Sequence, residues 1–166
     1  MKLKIVLIFA GLILVAAGAG AQTKITATLQ CSKADPQTAI PVNDRPGHAF
    51  IVMKNKCTWT KPMELAGVQS KTGEDTTFSE ANGAKSRDTG YHITAMENGD
   101  QFVVRFSGST TTDKNGVVLA QSGTWSFVNG TGKLKGITGK GTYTGKGAAD
   151  GSVTSDIEGE YQIAGK

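Results

Sequence analysis

The chain has 166 residues, with 18 basic and 14 acidic side chains and a formal charge of +4 at pH 7. This length corresponds to one domain with a hydrophobic core, and so small a net charge argues against a nucleic-acid-binding protein. Lysines do gather at Lys133, Lys135, Lys140 and Lys146. Few aromatic residues stand between them to stack on bases, so we interpret them as edge and turn residues that discourage strands from pairing with other chains.

The N-terminal segment has the three parts of a secretory signal peptide. Residues 1–4 are basic, residues 5–17 are apolar, and Ala19-Gly20-Ala21 supplies the small residues of a cleavage site. The apolar stretch is short for a transmembrane helix; the alternative is an uncleaved N-terminal anchor. We therefore predict a signal helix over residues 1–21 and a single exported domain over residues 22–166. That domain is expected to be secreted or periplasmic, with no stable membrane span.

Strand patterns recur through the rest of the chain. Residues 24–31 alternate apolar and polar side chains, as a half-buried strand does. Pro36, Pro41 and Pro46 then exclude a central strand or a helix interior, so a long loop is predicted over residues 35–47. The further strands are predicted at residues 48–53, 58–60, 63–70, 76–80, 91–96, 101–109, 117–120, 124–128, 134–143 and 153–163.

Turn residues separate these strands. Asn98-Gly99 is the favoured pair of a type I′ hairpin turn, because both positions take a positive φ. Residues 123–147 alternate apolar residues with glycines, and each Gly-Lys pair there lacks the following Ser or Thr of a phosphate-binding loop. Many short strands without an amphipathic helix indicate a barrel or a sandwich. We predict an all-β fold of about eight or nine antiparallel strands, as a calycin-like barrel or a sandwich.

Residues 125–141 resemble a hairpin of the allene oxide cyclase and dirigent-like barrels. Those families carry a Gly-Gly-Ser/Thr-Gly-x-Phe-x-Gly turn between two strands, and here Asn129 replaces its first glycine and Leu134 its aromatic residue. The chain also resembles uncharacterised exported bacterial proteins with the same Cys…Pro-Gly-His…Cys-Thr-Trp layout. The resemblance implies an eight-stranded barrel with an apolar central cavity that holds an apolar or phenolic ligand. The matching motif is a turn, so the resemblance assigns no catalytic residues.

The chain has two cysteines, Cys31 and Cys57. Export to an oxidising compartment favours a disulfide between them; the alternative is two free, buried thiols. Neither cysteine lies in a Cys-x-x-Cys pair or a nucleophile motif, so a catalytic thiol is not expected. The two histidines, His48 and His92, lack partners at metal-ligand spacing. We therefore predict no metal site and no cofactor.

Three functions are compatible with this pattern. The first is a barrel that binds a small apolar ligand, and its alternative is plain packing of the same core residues. The candidate pocket residues are Phe50, Phe102, Val104, Trp125, Phe127 and Tyr143. Arg45 and His48 follow the proline-rich loop closely, and would add polar groups at the pocket entrance if that loop caps the barrel mouth.

The second function is a cyclase- or isomerase-like enzyme acting in the barrel cavity. Such an enzyme needs several polar side chains to converge on one cavity. The candidates are Asp44, Arg45, His48, Tyr91, His92 and Glu97. The third function is an envelope interaction or structural module that presents an apolar patch or a lysine face to a partner.

Overall fold

The computed structural model describes residues 22–164, so the predicted signal segment lies outside the described residues. Ten strands and a short 3₁₀ helix make up this part of the chain. The strands are β1 (Thr23–Cys31), β2 (Gln37–Pro41), β3 (His48–Lys61), β4 (Glu64–Leu65), β5 (Val68–Asn82), β6 (Lys85–Met96), β7 (Gln101–Thr112), β8 (Val118–Gly130), β9 (Ile137–Gly147) and β10 (Val153–Ile163). Residues 22–164 contain no helix with the length and apolar character needed to span a bilayer.

Eight of these strands form a closed antiparallel barrel, as predicted. Their order is β3-β1-β10-β9-β8-β7-β6-β5, and the pairing of β5 with β3 closes the ring. The closing ladder is long, running from His48↔Asn82 to Thr58↔Thr72. Closure leaves the eight barrel strands without a free edge along these ladders, which is how many all-β domains avoid pairing with other chains.

Strand β3 is long enough to have two neighbours on one side. Its second half pairs with β1, through Leu29↔Trp59 and Cys31↔Cys57, and its first half pairs with β2, through Ile40↔Phe50. Strand β2 lies within residues 35–47, so the prediction of a loop throughout that segment is wrong. Proline is tolerated there because β2 is an edge strand and ends at Pro41.

The hairpin between β6 and β7 forms where it was predicted, but its turn type differs. Gly99 has a φ of 87°, whereas Asn98 is not among the residues of positive φ. Met96 N–H donates to the carbonyl of Asp100 at 2.8 Å, which makes Glu97-Asn98-Gly99 a three-residue loop. The Asn98 side chain accepts a hydrogen bond from Asp100 N–H at 3.1 Å and holds this shape. The type I′ prediction is therefore wrong, and the turn belongs to the three-residue class with one left-handed glycine.

One end of the barrel is filled by apolar side chains. They come from the β3–β5 connection, the ends of β6 and β7, and the 3₁₀ helix over Gly132–Leu134. The most deeply buried of them are Met63, Leu65, Met96, Phe102 and Leu134. This apolar plug closes the barrel at that end, so open space inside the barrel lies toward the opposite end.

A disulfide joins Cys31 of β1 to Cys57 of β3, as predicted. The two residues are direct partners in the ladder, and both are buried on the inner face of the barrel. The bond fixes the point at which β3 changes its neighbour from β1 to β2. A disulfide is compatible with an oxidising compartment.

Replacing both cysteines by alanine should destabilise the domain. The disulfide closes a loop of about 27 residues, and the chain-entropy model assigns about 3.5 kcal/mol to such a loop. We expect Cys31→Ala/Cys57→Ala to unfold at a clearly lower urea concentration than the oxidised wild type, with a similar m-value. Wild-type protein that is reduced and alkylated should move in the same direction. A double variant with the midpoint of the oxidised wild type would contradict the assigned role.

Candidate ligand-binding cavity

The barrel encloses a cavity of about 450 Å³. It begins above the apolar plug, where Phe102 and Trp59 form its floor, and extends to the turns at the opposite end. We call those turn residues the rim: Lys33, Ala34, Gly83, Ala84, Lys85, Gly116 and Gly151. Cavities of a few hundred cubic ångströms are the usual size for small-molecule sites.

Glycines on the inner face explain how Tyr143 leaves the cavity open. A Cβ built on Gly108 would lie 2.3 Å from Tyr143 Oη, and one built on Gly123 would lie 2.7 Å from Tyr143 Cε1. The Tyr143 ring therefore lies flat against the strands β7 and β8 instead of pointing to the barrel axis. A side chain at either position would collide with the ring and also with a backbone carbonyl of the paired strand, that of Ser122 for Gly108 and that of Ser107 for Gly123.

The Trp125 ring also lies over glycines, in this case on β9 and β10. Its Cζ2 atom would lie 2.6 Å from a Cβ on Gly141 and 2.5 Å from a Cβ on Gly159. Its indole N–H donates to the carbonyl of Thr142 at 3.2 Å. Aromatic rings that cover glycines of neighbouring strands are held at the wall, and the centre of the barrel stays open.

A polar network stands near the floor of the cavity. His92 Nδ1 lies 2.7 Å from Asp75 Oδ1, and His92 Nε2 lies 2.8 Å from Thr94 Oγ1. The Trp59 indole N–H donates to the same Thr94 oxygen at 3.3 Å. These partners fit a neutral histidine whose Nδ1–H donates to Asp75, with the Thr94 hydroxyl donating to Nε2. Each of the three hydrogen bonds then has one donor and one acceptor.

The second oxygen of Asp75 is left without a donor. Asp75 Oδ2 lies 3.4 Å from Cys31 Sγ and 3.6 Å from Cys57 Sγ. Both sulfurs belong to the disulfide and carry no proton, so these are contacts and not hydrogen bonds. For the same reason the cluster of Cys31, Cys57 and Asp75 offers no thiolate to a metal ion. Among residues 22–164, no group donates a hydrogen bond to Asp75 Oδ2.

A second carboxylate, Asp88, lies nearer the rim. It accepts hydrogen bonds from Ser79 Oγ at 2.6 Å, Ser86 Oγ at 2.8 Å and Thr110 Oγ1 at 2.6 Å. Within the described part of the chain no lysine, arginine or histidine forms an ion pair with it. Three hydroxyl donors stabilise the ionised carboxylate in place of a cation.

Tyr143 carries a hydroxyl that makes no hydrogen bond to any of residues 22–164. Burial raises the pKa of this phenol to about 12, and the negative charges of Asp88 and Asp75 act in the same direction. The phenol is therefore neutral at physiological pH. Its hydroxyl can donate or accept one hydrogen bond at the cavity wall.

Four of the six apolar pocket candidates line the cavity: Phe102, Val104, Trp125 and Tyr143. Phe127 packs in the core behind them, with its ring centroid 5.4 Å from that of Phe102 and 5.3 Å from that of Trp125. Phe50 lies on the outer face of β3, where it stacks on Phe78 at 5.5 Å. Its placement in the cavity was wrong, because residues 48–53 are apolar on both faces and such a run does not reveal which face turns inward.

Arg45 and His48 also lie outside the cavity. His48 is buried on the outer wall, where Nδ1 is 2.5 Å from Asp44 Oδ1 and Nε2 is 3.1 Å from Glu80 Oε1. The hydrogen bond from His48 lowers the pKa of Asp44, and Arg45 Nε donates to Asn82 Oδ1 at 3.0 Å. These residues fasten the β2–β3 loop to β5 and do not form the pocket entrance.

The six polar residues considered for an enzyme do not converge on one site. His92 faces the cavity, Tyr91 is exposed on the outer face of the same strand, and Glu97 lies in the hairpin at the plugged end. Two carboxylates that line the cavity, Asp75 and Asp88, were missed. Their signal is the strand register, because Asp75 pairs with His92 and Asp88 with Ser79, and register is not readable from one strand alone.

No protein-family model matches the chain, and no curated protein matches it significantly. Among solved structures it is similar to a pterocarpan synthase dirigent protein, at 11% identity and a TM-score of 0.52, with 93% of this chain and 98% of that one covered. A conserved protein of unknown function from Rhodopseudomonas palustris aligns at 10% identity and a TM-score of 0.48, covering 84% of this chain and 98% of that one. The similarity to the dirigent protein confirms the predicted resemblance, and at this identity it is a similarity of fold.

Proposed function

We propose that the protein is an exported binding protein that holds a small, largely apolar molecule in the barrel cavity. The observation that carries this proposal is the cavity of about 450 Å³ with aromatic walls, at which the Tyr143 hydroxyl makes no hydrogen bond to any of residues 22–164. A self-filled barrel would direct its large side chains to the axis. Here Tyr143 and Trp125 lie against glycines at the wall instead.

The size of the cavity sets the size of the ligand. An apolar cavity of about 150 Å³ in another protein admits benzene, so the present cavity of about 450 Å³ has room for a molecule of two or three rings. The lining of aromatic and aliphatic side chains favours an apolar body. The Tyr143 hydroxyl supports one polar group on that body.

An enzyme acting in the same cavity is the second candidate, and the Asp75–His92 pair is the observation that favours it. A general base must have a ring nitrogen free to reach a substrate proton. His92 Nε2 is already occupied by the Thr94 hydroxyl, which Trp59 holds in turn. The pair as arranged supports the cavity wall, so binding is the better supported function, although a protein of the same fold is named a synthase.

The direct test is native mass spectrometry of the protein purified from its own source. We expect a species heavier than the polypeptide by the mass of one small organic molecule, which is lost when the protein is denatured. Protein refolded from denaturant serves as the ligand-free control. A source-purified sample with only the polypeptide mass, which also takes up none of the aromatic probes below, would argue for a structural role.

A two-ring probe tests the part played by Tyr143. Loss of one hydrogen bond costs about 0.5–1.5 kcal/mol, so Tyr143→Phe should weaken binding of 2-naphthol by about threefold to tenfold. Naphthalene, which has no polar group, should bind the variant and the wild type within about twofold. Fluorescence titration of both probes measures this difference. Equal losses for the two probes would show that the hydroxyl does not contact the ligand.

The raised pKa of Tyr143 predicts a pH dependence of stability. Between the unfolded value of 10.0 and the folded value of about 12, the unfolded chain releases the phenolic proton and the folded chain keeps it. The free energy of unfolding therefore falls as the pH rises through this window. Tyr143→Phe should flatten this part of the decline, and it should remove the tyrosine that ionises last in a spectrophotometric titration. Tyr91→Phe is the matched control and should retain both; a Tyr143→Phe profile identical to that of the wild type would contradict the assignment.

A further inference from the structure

The inner wall carries two negative charges without a compensating cation. Asp75 and Asp88 both face the cavity. Apart from His92, whose contacts fit the neutral form, no basic side chain of residues 22–164 pairs with either carboxylate. Lys33 and Lys85 belong to the rim, where they are exposed, and neither forms an ion pair with these aspartates.

The two carboxylates differ in what they can still bind. A carboxylate offers about four lone-pair positions, and three hydroxyls already occupy Asp88. Asp75 accepts one hydrogen bond, from His92, and its Oδ2 faces only the disulfide. The Asp75 side chain is 20% exposed and lines the cavity, and its Oδ2 has no hydrogen-bond donor among residues 22–164.

A partly buried carboxylate with a free oxygen favours a particular ligand chemistry. It gains most from a group that brings both a positive charge and an N–H donor. An anionic group placed against the same wall would instead face two like charges.

We propose that the cavity selects ligands by charge, and that its ligand is an apolar molecule with one ammonium group placed against Asp75. This inference rests on the proposed binding function and deepens it. The apolar body lies along Val104, Phe106, Trp125 and Tyr143, and the ammonium donates to Asp75 Oδ2 at the deep end. Fatty acids and other apolar anions are excluded.

Three probes with the same two-ring body separate charge from shape. They are 2-naphthylmethylamine, a cation at pH 7; 2-naphthylmethanol, which is neutral; and 2-naphthoate, an anion. Isothermal titration calorimetry of the wild type at pH 7 and physiological salt should give the order cation, alcohol, anion. We expect the cation to bind at least tenfold more tightly than the alcohol, and the anion more weakly than both.

Two variants locate the preference. Asp75→Asn removes the charge and keeps the shape, and should bring the amine and the alcohol within about threefold of each other. Asp156→Asn changes the net charge by the same amount on the exposed outer face of β10, and should keep the wild-type order. Binding of the neutral alcohol to both variants shows that their cavities are intact, and the order of the probes on the wild type does not depend on any variant.

The outcomes separate a failure of the charge selectivity from a failure of the proposed binding function. If none of the three probes binds the wild type, the binding function itself fails. If the alcohol binds and the amine binds no more tightly, the charge selectivity is wrong and the binding function stands. The same conclusion follows if the anion binds as tightly as the alcohol. If Asp75→Asn keeps the tenfold preference for the amine, the assignment to Asp75 is wrong.

Discussion

The fold depends on the way in which β3 pairs on both of its sides. One side meets β5 along the whole ladder, and the other side meets β1 and then β2. Without the β3–β5 ladder the sheet would be an open, strongly twisted ribbon with two free edges, and its inner residues would face solvent. The Cys31–Cys57 bond lies at the last pair of the β1–β3 ladder, next to the change of neighbour on β3.

The cavity and its electrostatics follow from this closure. Once the ring is closed, alternate residues of each strand share one confined interior, so the charges of Asp75 and Asp88 act on the same small volume. Together with burial, which acts more strongly, both charges raise the pKa of Tyr143. The disulfide contributes to both the closure and the electrostatics. It links β1 to β3 in the closed barrel, and its sulfurs form the wall beside Asp75. The Asp75 oxygen that faces them has no hydrogen-bond donor among residues 22–164.

Alternation, turn residues and cysteine context are local or compositional signals, and they were sufficient for an all-β fold and for the disulfide. The choice of a barrel over a sandwich came from the resemblance of residues 125–141 to known barrels. Predictions from the sequence were wrong or incomplete where a feature depends on the pairing of strands that are distant in the chain. Residues 37–41 became an edge strand in spite of their prolines, since β3 extends past the end of β1. Phe50 was misplaced because both faces of its strand are apolar. Asp75 and Asp88 are ordinary strand-face acids until the register places them beside His92 and Ser79.

The glycines at the inner wall carry a consequence for how such a cavity can change over time. The shape of the cavity depends on positions that lack a side chain. Gly108 and Gly123 lie beneath the ring of Tyr143, and Gly141 and Gly159 lie beneath the ring of Trp125. A methyl group added at any one of them would collide with a carbonyl oxygen of the paired strand as well as with the ring. The outline of the cavity and the spacing of the strands are therefore coupled, and a substitution at these positions cannot change the one without moving the other.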